Sequence, residues 1–103
     1  MNEDLQQLSL IYEQLEDHIL LEGLVERFGM SIARDIMNFF KCKRGERMEG
    51  CPNASQIVAN IKNWIKYADP HSTIKVQKII NDKTLNDELK LAEINVQVKS
   101  GIL

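Results

Sequence analysis

The stretch NASQIVANIKNWIKYADP, residues 53–70, carries the clearest helical pattern in the chain. Asn53 with Gln56 three residues later has the arrangement of a capping box, and Asp69 followed by Pro70 ends the pattern. Between these signals apolar side chains recur at helical spacing, and they are Ile57, Val58, Ile61, Trp64, Ile65 and Ala68. The stretch therefore predicts a helix over residues 54–68 with one buried face, in which Trp64 belongs to the core.

A longer helical pattern lies at the N-terminus. Asn2 is a good cap and Gly29 a good left-handed stop, so the pattern predicts an acidic helix over residues 3–28. Its first apolar line, which we call the N-terminal seam, has the three- and four-residue spacing of a coiled coil and consists of Leu5, Leu8, Tyr12, Leu15 and Ile19. The apolar positions then shift to a second stripe, Leu21, Val25 and Phe28, flanked by Leu20 and Leu24. Either the helix kinks near Asp17, or its two halves pack against different partners.

The segment between these two helices predicts a short helix and a loop. Ser31 is a candidate cap for a helix over residues 31–41, whose inward positions are Ile32, Ala33, Ile36, Met37 and Phe40. Residues 42–52 contain two glycines and a proline, and we expect them to form a mobile loop.

The segment after Pro70 allows two interpretations. Helical spacing favours one helix capped by Ser72 and a second opened by Thr84, with Leu85, Leu89, Ala92 and Val96 on one inward line. Alternation of apolar and polar residues at 74–78 and 94–98 instead indicates a minor two-stranded ribbon near the C-terminus. We predict an all-α fold, a compact bundle of four to five helices forming a single domain over residues 1–103, with this ribbon as the alternative at the C-terminus.

Composition and charge restrict the class of protein. The chain has 103 residues, 44% of them apolar and 27% charged, which is typical of an ordinary globular domain. No apolar run approaches the ~20 residues of a membrane span, and the acidic start is unlike a signal peptide, so we expect a cytoplasmic protein that does not contact membranes. In that compartment Cys42 and Cys51 are expected to be free thiols.

The net charge of −2 conceals an asymmetry between the ends of the chain. Residues 1–30 hold seven acidic side chains against the single base Arg27, whereas residues 31–103 hold twelve basic and eight acidic side chains. An acidic N-terminal part thus precedes a mildly basic body. This layout can attract a basic partner or allow two copies to pair head to body.

The sequence contains no pattern typical of catalysis, metal binding or nucleotide binding. His18 and His71 lie near carboxylates, but these are short, nonspecific pairs without the nucleophile and third group of a catalytic triad. Eight residues separate the cysteines, unlike the two to four of a zinc-binding loop, and no phosphate-binding glycine motif occurs. We therefore expect no enzyme, no catalytic or metal site, no cofactor and no small-molecule substrate.

Two kinds of binding surface remain. Residues 24–31, followed by the predicted helix 31–41, resemble the turn of a helix-turn-helix motif, which implies a DNA-binding regulator whose contacts would be Arg34, Asn38, Lys41, Lys43, Arg44 and Arg47. The N-terminal seam, however, is longer than one helix of a small domain needs for its own core. We predict a non-enzymatic interaction or regulatory module that binds another protein or a second copy of itself through the seam, most simply as a dimer, with DNA binding as the alternative.

Overall fold

The computed structural model describes residues 18–103, and in this range it contains five helices and no strand. The first, α1, is described over residues 18–28; the others are α2 (Met30–Lys43), α3 (Ala54–Ile65), α4 (Pro70–Ile80) and α5 (Asp87–Lys99). The predicted all-α bundle is confirmed. The C-terminal ribbon is wrong, because residues 74–78 lie within α4 and residues 94–98 within α5. The part of the predicted first helix before residue 18 lies outside the described range.

Helix α3 is the centre of the bundle and contacts α2, α4 and α5. The Asn53 side chain caps it by accepting a hydrogen bond from the backbone N–H of Ser55 at 2.7 Å. Of its buried residues, Ile57, Val58 and Ile61 were predicted by the spacing and Ala54 was not; the predicted Trp64, Ile65 and Ala68 are partly buried. The helix ends at Ile65, three residues earlier than predicted, in a turn over residues 66–68.

A single residue, Gly29, separates α1 from α2. Its backbone angles of φ 85° and ψ 168° belong to a region that only glycine occupies readily, so the chain can change direction there without a longer loop. The predicted cap Ser31 is wrong, because α2 begins at Met30 and no side chain caps it. Helix α2 also continues two residues beyond the predicted end, to Lys43.

The two cysteines form a disulfide, so the prediction of free thiols is wrong. Cys42 lies in the last turn of α2 and Cys51 shortly before α3, and their Cα atoms are 5.9 Å apart. Gly45 and Gly50 both have positive φ in the intervening turn, which brings the chain back toward α2. The disulfide thus joins the two ends of the loop that we predicted to be mobile, and a closed loop has fewer conformations than an open one.

The last two helices begin at other residues than predicted. Asp69 caps α4 by accepting from the backbone N–H of His71, and Asn86 caps α5 by accepting from that of Leu89. The predicted caps Ser72 and Thr84 are therefore wrong. The inward line of α5 is also wrong, since the buried residues are Leu91, Ile94 and Val98. Helix α5 has apolar residues on two opposite lines, and spacing alone does not indicate which line is buried.

Candidate functional site

The N-terminal seam meets the described structure at Ile19. The other four seam residues, Leu5, Leu8, Tyr12 and Leu15, lie outside the described range. Ile19 is 62% exposed, whereas Leu20, Leu24 and Phe28 are buried in the core. At 100° per residue Ile19 lies about 140° around the helix from Leu24. The seam position that the structure describes thus faces away from the protein's own core.

The second apolar stripe supplies the core contacts of α1. Phe28 packs edge to face on Trp64 of α3, with the ring centroids 5.0 Å apart and the planes at 66°. Trp64 is half-buried against the core, in agreement with its predicted role. The buried line is Leu20, Leu24 and Phe28, while the predicted stripe residues Leu21 and Val25 are only partly buried. Helix α1 therefore has one face in the core and another in solvent.

Four of the six candidate nucleic-acid contacts line one groove. It has a volume of about 570 Å³, lies between α1, α2 and the loop after α2, and we call it the basic groove. Its lining residues are His18, Leu21, Arg34, Met37, Asn38, Lys41 and Arg47. Residues 34, 38 and 41 share one face of α2 because they are spaced by four and three. The returning loop adds Arg47, and α1 adds His18 and Leu21, which the sequence did not assign to this site.

Hydrogen bonds hold Arg47 against the groove. Its Nε donates to the backbone carbonyl of Glu49 at 2.7 Å, and its Nη1 donates to Asn38 Oδ1 at 3.4 Å. On the opposite wall, His18 Nε2 lies 2.9 Å from Glu22 Oε1, one turn further along α1. The loop arginine is therefore positioned by its own turn, which the disulfide closes.

The remaining two candidates point elsewhere. Lys43 Nζ lies 2.7 Å from Glu88 Oε1 of α5 and 5.7 Å from the centroid of the Phe39 ring. Arg44 Nη2 lies 2.8 Å from Glu46 Oε2. Charges that already face carboxylates are less available to phosphates. The predicted basic track from Arg34 to Arg47 is thus divided by the structure into a groove and two outlying ion pairs.

The helix-turn-helix resemblance meets a geometric difference at the turn. In that motif three to four residues join the two helices. Here Gly29 alone separates α1 from α2, and the N–H of Gly29 donates to the carbonyl of Val25 at 2.9 Å. The join between these helices is therefore tighter than the turn of the motif.

A second exposed apolar surface lies on α5 and was assigned to the core by the sequence. Leu89 is 50% and Val96 56% exposed. A shallow groove of about 320 Å³ separates this surface from Phe40 of α2 and is also lined by Ala92. The predicted apolar line is therefore exposed at Leu89 and Val96, whereas Leu85 and Ala92 are partly buried. The sequence indicates this exposed surface only through the two apolar lines of α5, because a helix needs one such line to contact the core.

Two further features, clusters of metal-ligating side chains and membrane-spanning helices, concern the described residues. Residues 18–103 contain no group of three or more His, Cys, Asp or Glu side chains placed to hold a metal ion. Within the same range no helix has the length and apolar character needed to cross a bilayer. The features that remain in the described residues are the exposed Ile19 on α1, the basic groove and the exposed apolar residues of α5.

Comparisons with protein-family models, with curated proteins and with solved structures found nothing that matches this chain.

Proposed function

We propose that the protein is a non-enzymatic interaction module that pairs with a second copy of itself through the N-terminal seam. The observation that carries this proposal is the exposure of Ile19 beside the buried Leu20 and Leu24. An apolar line that turns away from its own core gains stability when a partner covers it, by roughly 25 cal/mol per Å² of apolar area. We expect the other seam residues to share the face of Ile19, because spacings of three and four residues would place them on one face of a regular helix.

Substitution of the seam tests the proposal. Leu8→Lys combined with Leu15→Lys should convert a dimer to a monomer, as should Ile19→Lys alone. Each Ile19→Lys copy loses about 1.5 kcal/mol or more of apolar burial, and a symmetric dimer loses it twice, so the dissociation constant should rise about 100-fold. Sedimentation equilibrium over a range of protein concentrations measures this constant.

The chain offers a matched control on α5. Val96 is apolar and nearly as exposed as Ile19, but it lies on another helix, so Val96→Lys should leave the dimer unchanged. Neither residue belongs to the core, so both variants should fold. Val96→Lys should melt close to the wild type, whereas Ile19→Lys should lose the stability that dimerisation adds. A wild type that is monomeric at the highest concentration contradicts the proposal. If Val96→Lys dissociates the dimer and Ile19→Lys does not, the interface is the α5 surface.

DNA binding is the second candidate, and the clustering of Arg34, Lys41 and Arg47 around one groove is the observation that favours it. Three observations argue against DNA binding: the acidic net charge, the ion pairs of Lys43 and Arg44, and the single residue, Gly29, that separates α1 from α2. The test is a mobility-shift assay with mixed genomic fragments in low salt, where phosphate contacts are strongest. Charge reversal at residues 34, 41 and 47, which line the groove, should abolish any shift, and a wild type that binds no DNA ends this alternative.

For location we propose the cytoplasm, where the protein would act as a regulatory partner of itself or of another protein. The disulfide weighs against this, because disulfides are rare in reducing compartments. Alkylation of thiols in intact cells decides the question. Labelled Cys42 and Cys51 support a cytoplasmic protein, and cysteines protected until a reductant is added indicate an oxidising compartment.

A further inference from the structure

The basic groove brings three positively charged side chains to one part of α2. Arg34 and Lys41 lie on the same face of this helix, and Arg47 reaches that face from the loop, where its Nη1 donates to Asn38 Oδ1 at 3.4 Å. Along the helix axis Asn38 lies about 6 Å from Arg34 and about 4.5 Å from Lys41. The guanidinium of Arg47 is therefore anchored between the two positive charges of α2.

No carboxylate of the described residues neutralises these three charges. Within residues 18–103 none of the three forms an ion pair, and the described lining of the groove contains no aspartate or glutamate. Glu22 contacts the lining only through His18, whose Nε2 lies 2.9 Å from Glu22 Oε1 on the opposite wall. A cluster of this kind attracts a ligand group that carries more than one negative charge.

The loop after α2 holds the guanidinium of Arg47 in place. Its Nε donates to the backbone carbonyl of Glu49 at 2.7 Å, and Gly50 packs so closely that a Cβ there would lie 2.9 Å from Arg47 Nη2. The disulfide closes the ring that contains these three residues. A guanidinium has five N–H donors, and two of them meet protein acceptors in the described structure, so three remain for a ligand.

The size and the apolar lining of the groove favour a small organic ligand. Its volume of about 570 Å³ is in the range of small-molecule sites, and the buried Met37 and partly buried Leu21 add apolar surface. Lys43 and Arg44, which would extend the cluster along a nucleic-acid backbone, face carboxylates instead. A phosphate monoester carries a charge of about −1.5 to −2 near pH 7, and its oxygens match the paired N–H groups of arginine.

We propose that the basic groove binds a small organic phosphate. The phosphate group lies among Arg34, Lys41 and Arg47, and the apolar part of the ligand contacts Leu21 and Met37. The disulfide belongs to this site, because it closes the turn that presents Arg47. All of these groups come from one copy of the chain, so the site does not depend on self-association.

Titration of the full chain with phenyl phosphate tests the inference, because this probe joins a phosphate monoester to an apolar ring. Backbone amide chemical shifts measured by NMR report both the place and the affinity of binding. The signals of residues 34–41 and 47–50 should move. Phenyl phosphate should bind about tenfold more tightly than inorganic phosphate, since its ring buries apolar area. Phenol, which has the ring without the phosphate, should leave these signals unchanged.

Two glycines of the loop provide a matched pair of variants that leave every charge in place. Gly50→Ala brings a Cβ against the guanidinium of Arg47 and should displace it, so phenyl phosphate should bind several-fold more weakly. Gly45→Ala is the control. Gly45 also has a positive φ, 78° against 67° at Gly50, but no heavy atom lies within 4 Å of its Cβ position, so this variant should bind like the wild type.

Substitution of the charges and of the disulfide completes the test. Arg47→Ala, and Arg34→Ala with Lys41→Ala, should each weaken binding by about tenfold or more, because each removes charged donors to the phosphate. These side chains lie outside the core, so circular dichroism should show unchanged helicity. Serine at both Cys42 and Cys51 should also weaken binding, but it should add little in an Arg47→Ala background, since both changes act through the same guanidinium.

The outcomes separate this inference from the proposals above. A wild type whose groove signals do not move with phenyl phosphate overturns it, as does binding that Arg47→Ala and Gly50→Ala both leave unchanged. If Gly45→Ala weakens binding as much as Gly50→Ala does, the placement of Arg47 by its turn is refuted. Mixed-sequence DNA that moves the groove signals where phenyl phosphate does not assigns the groove to nucleic acid and also overturns the inference. Phenyl phosphate binding by a chain that stays monomeric supports the inference while self-association fails.

Discussion

Substitution of Gly29 by alanine should destabilise the protein without creating a steric clash. Gly29 has φ 85° and ψ 168°, and no heavy atom lies within 4 Å of the place that a Cβ would occupy. The penalty is therefore conformational, and side chains in this backbone region cost about 1–3 kcal/mol. Alanine recovers about 0.4–1 kcal/mol by restricting the unfolded chain. The free energy of unfolding should fall by about 1–2 kcal/mol.

Thermal and urea unfolding followed by circular dichroism measure this change. For a chain of this length it corresponds to a melting temperature lower by roughly 5–15 °C. Gly29→Asn should be no better than Gly29→Ala, because asparagine tolerates the left-handed helical region but not a ψ of 168°. That similarity distinguishes this glycine from an ordinary helix stop, where asparagine is the usual substitute.

Ser31→Ala is the matched control. The sequence predicted Ser31 as the cap of α2, in which case its loss costs about 1 kcal/mol. In the structure no side chain caps α2 and Ser31 is an exposed residue within the helix, so the change should be within about 0.5 kcal/mol of zero. A Gly29→Ala variant with the same free energy of unfolding as the wild type would refute the reasoning. It would mean that residue 29 can adopt helical backbone angles and join α1 to α2.

Three further predictions concern other parts of the bundle. Replacing both Cys42 and Cys51 by serine should lower the free energy of unfolding by about 2–3 kcal/mol, because the disulfide closes a ten-residue ring. A reductant should destabilise the wild type by the same amount. Urea unfolding midpoints that neither change shifts contradict this prediction. Gly23→Ala would place a Cβ 2.7 Å from Val98 Cγ1, so it should destabilise the protein by about 0.5–2 kcal/mol. In a Val98→Ala background, which removes the clash, the same substitution should be neutral or stabilising. A double-mutant cycle measures this difference. Hydrogen bonds from the side chain and backbone of Thr84 lower the pKa of Asp82 in the folded protein. The carboxylate therefore stabilises the fold above its unfolded pKa, and this contribution is lost as the pH falls through the lower folded pKa. Asp82→Asn should make stability fall less steeply in that acidic range, and an unchanged pH profile counts against this assignment.

The elements with a strong local signal could be predicted from the sequence. Helix α3 has a polar cap at Asn53 and one apolar face, and both features were confirmed because each depends only on residues within one helix. The inward face of α5 could not be predicted in the same way. Its lines through Leu89 and Val96 and through Leu91 and Ile94 are both apolar, and the positions of α3 and α4, which α5 contacts, determine which is buried.

The basic groove was predictable in part for the same physical reason. Arg34, Asn38 and Lys41 share a face because of helical spacing, which the sequence contains. Arg47 reaches the same place through a turn whose ends the disulfide joins, and His18 arrives from α1 across the break at Gly29. Both depend on contacts between residues distant in sequence, and no local pattern encodes them.

The two candidate apolar interfaces, the exposed α5 face and the predicted N-terminal seam, differ in length. The α5 face extends from Leu89 to Val96, seven residues or about 10 Å of helix. The seam that ends at Ile19 begins at Leu5, fourteen residues away, and would present about 21 Å on a regular helix. A paired helix buries apolar area in proportion to its length, so in the proposed dimer a helical seam would supply about twice the driving force of the α5 face. This is why Ile19→Lys, and not Val96→Lys, should separate the two copies.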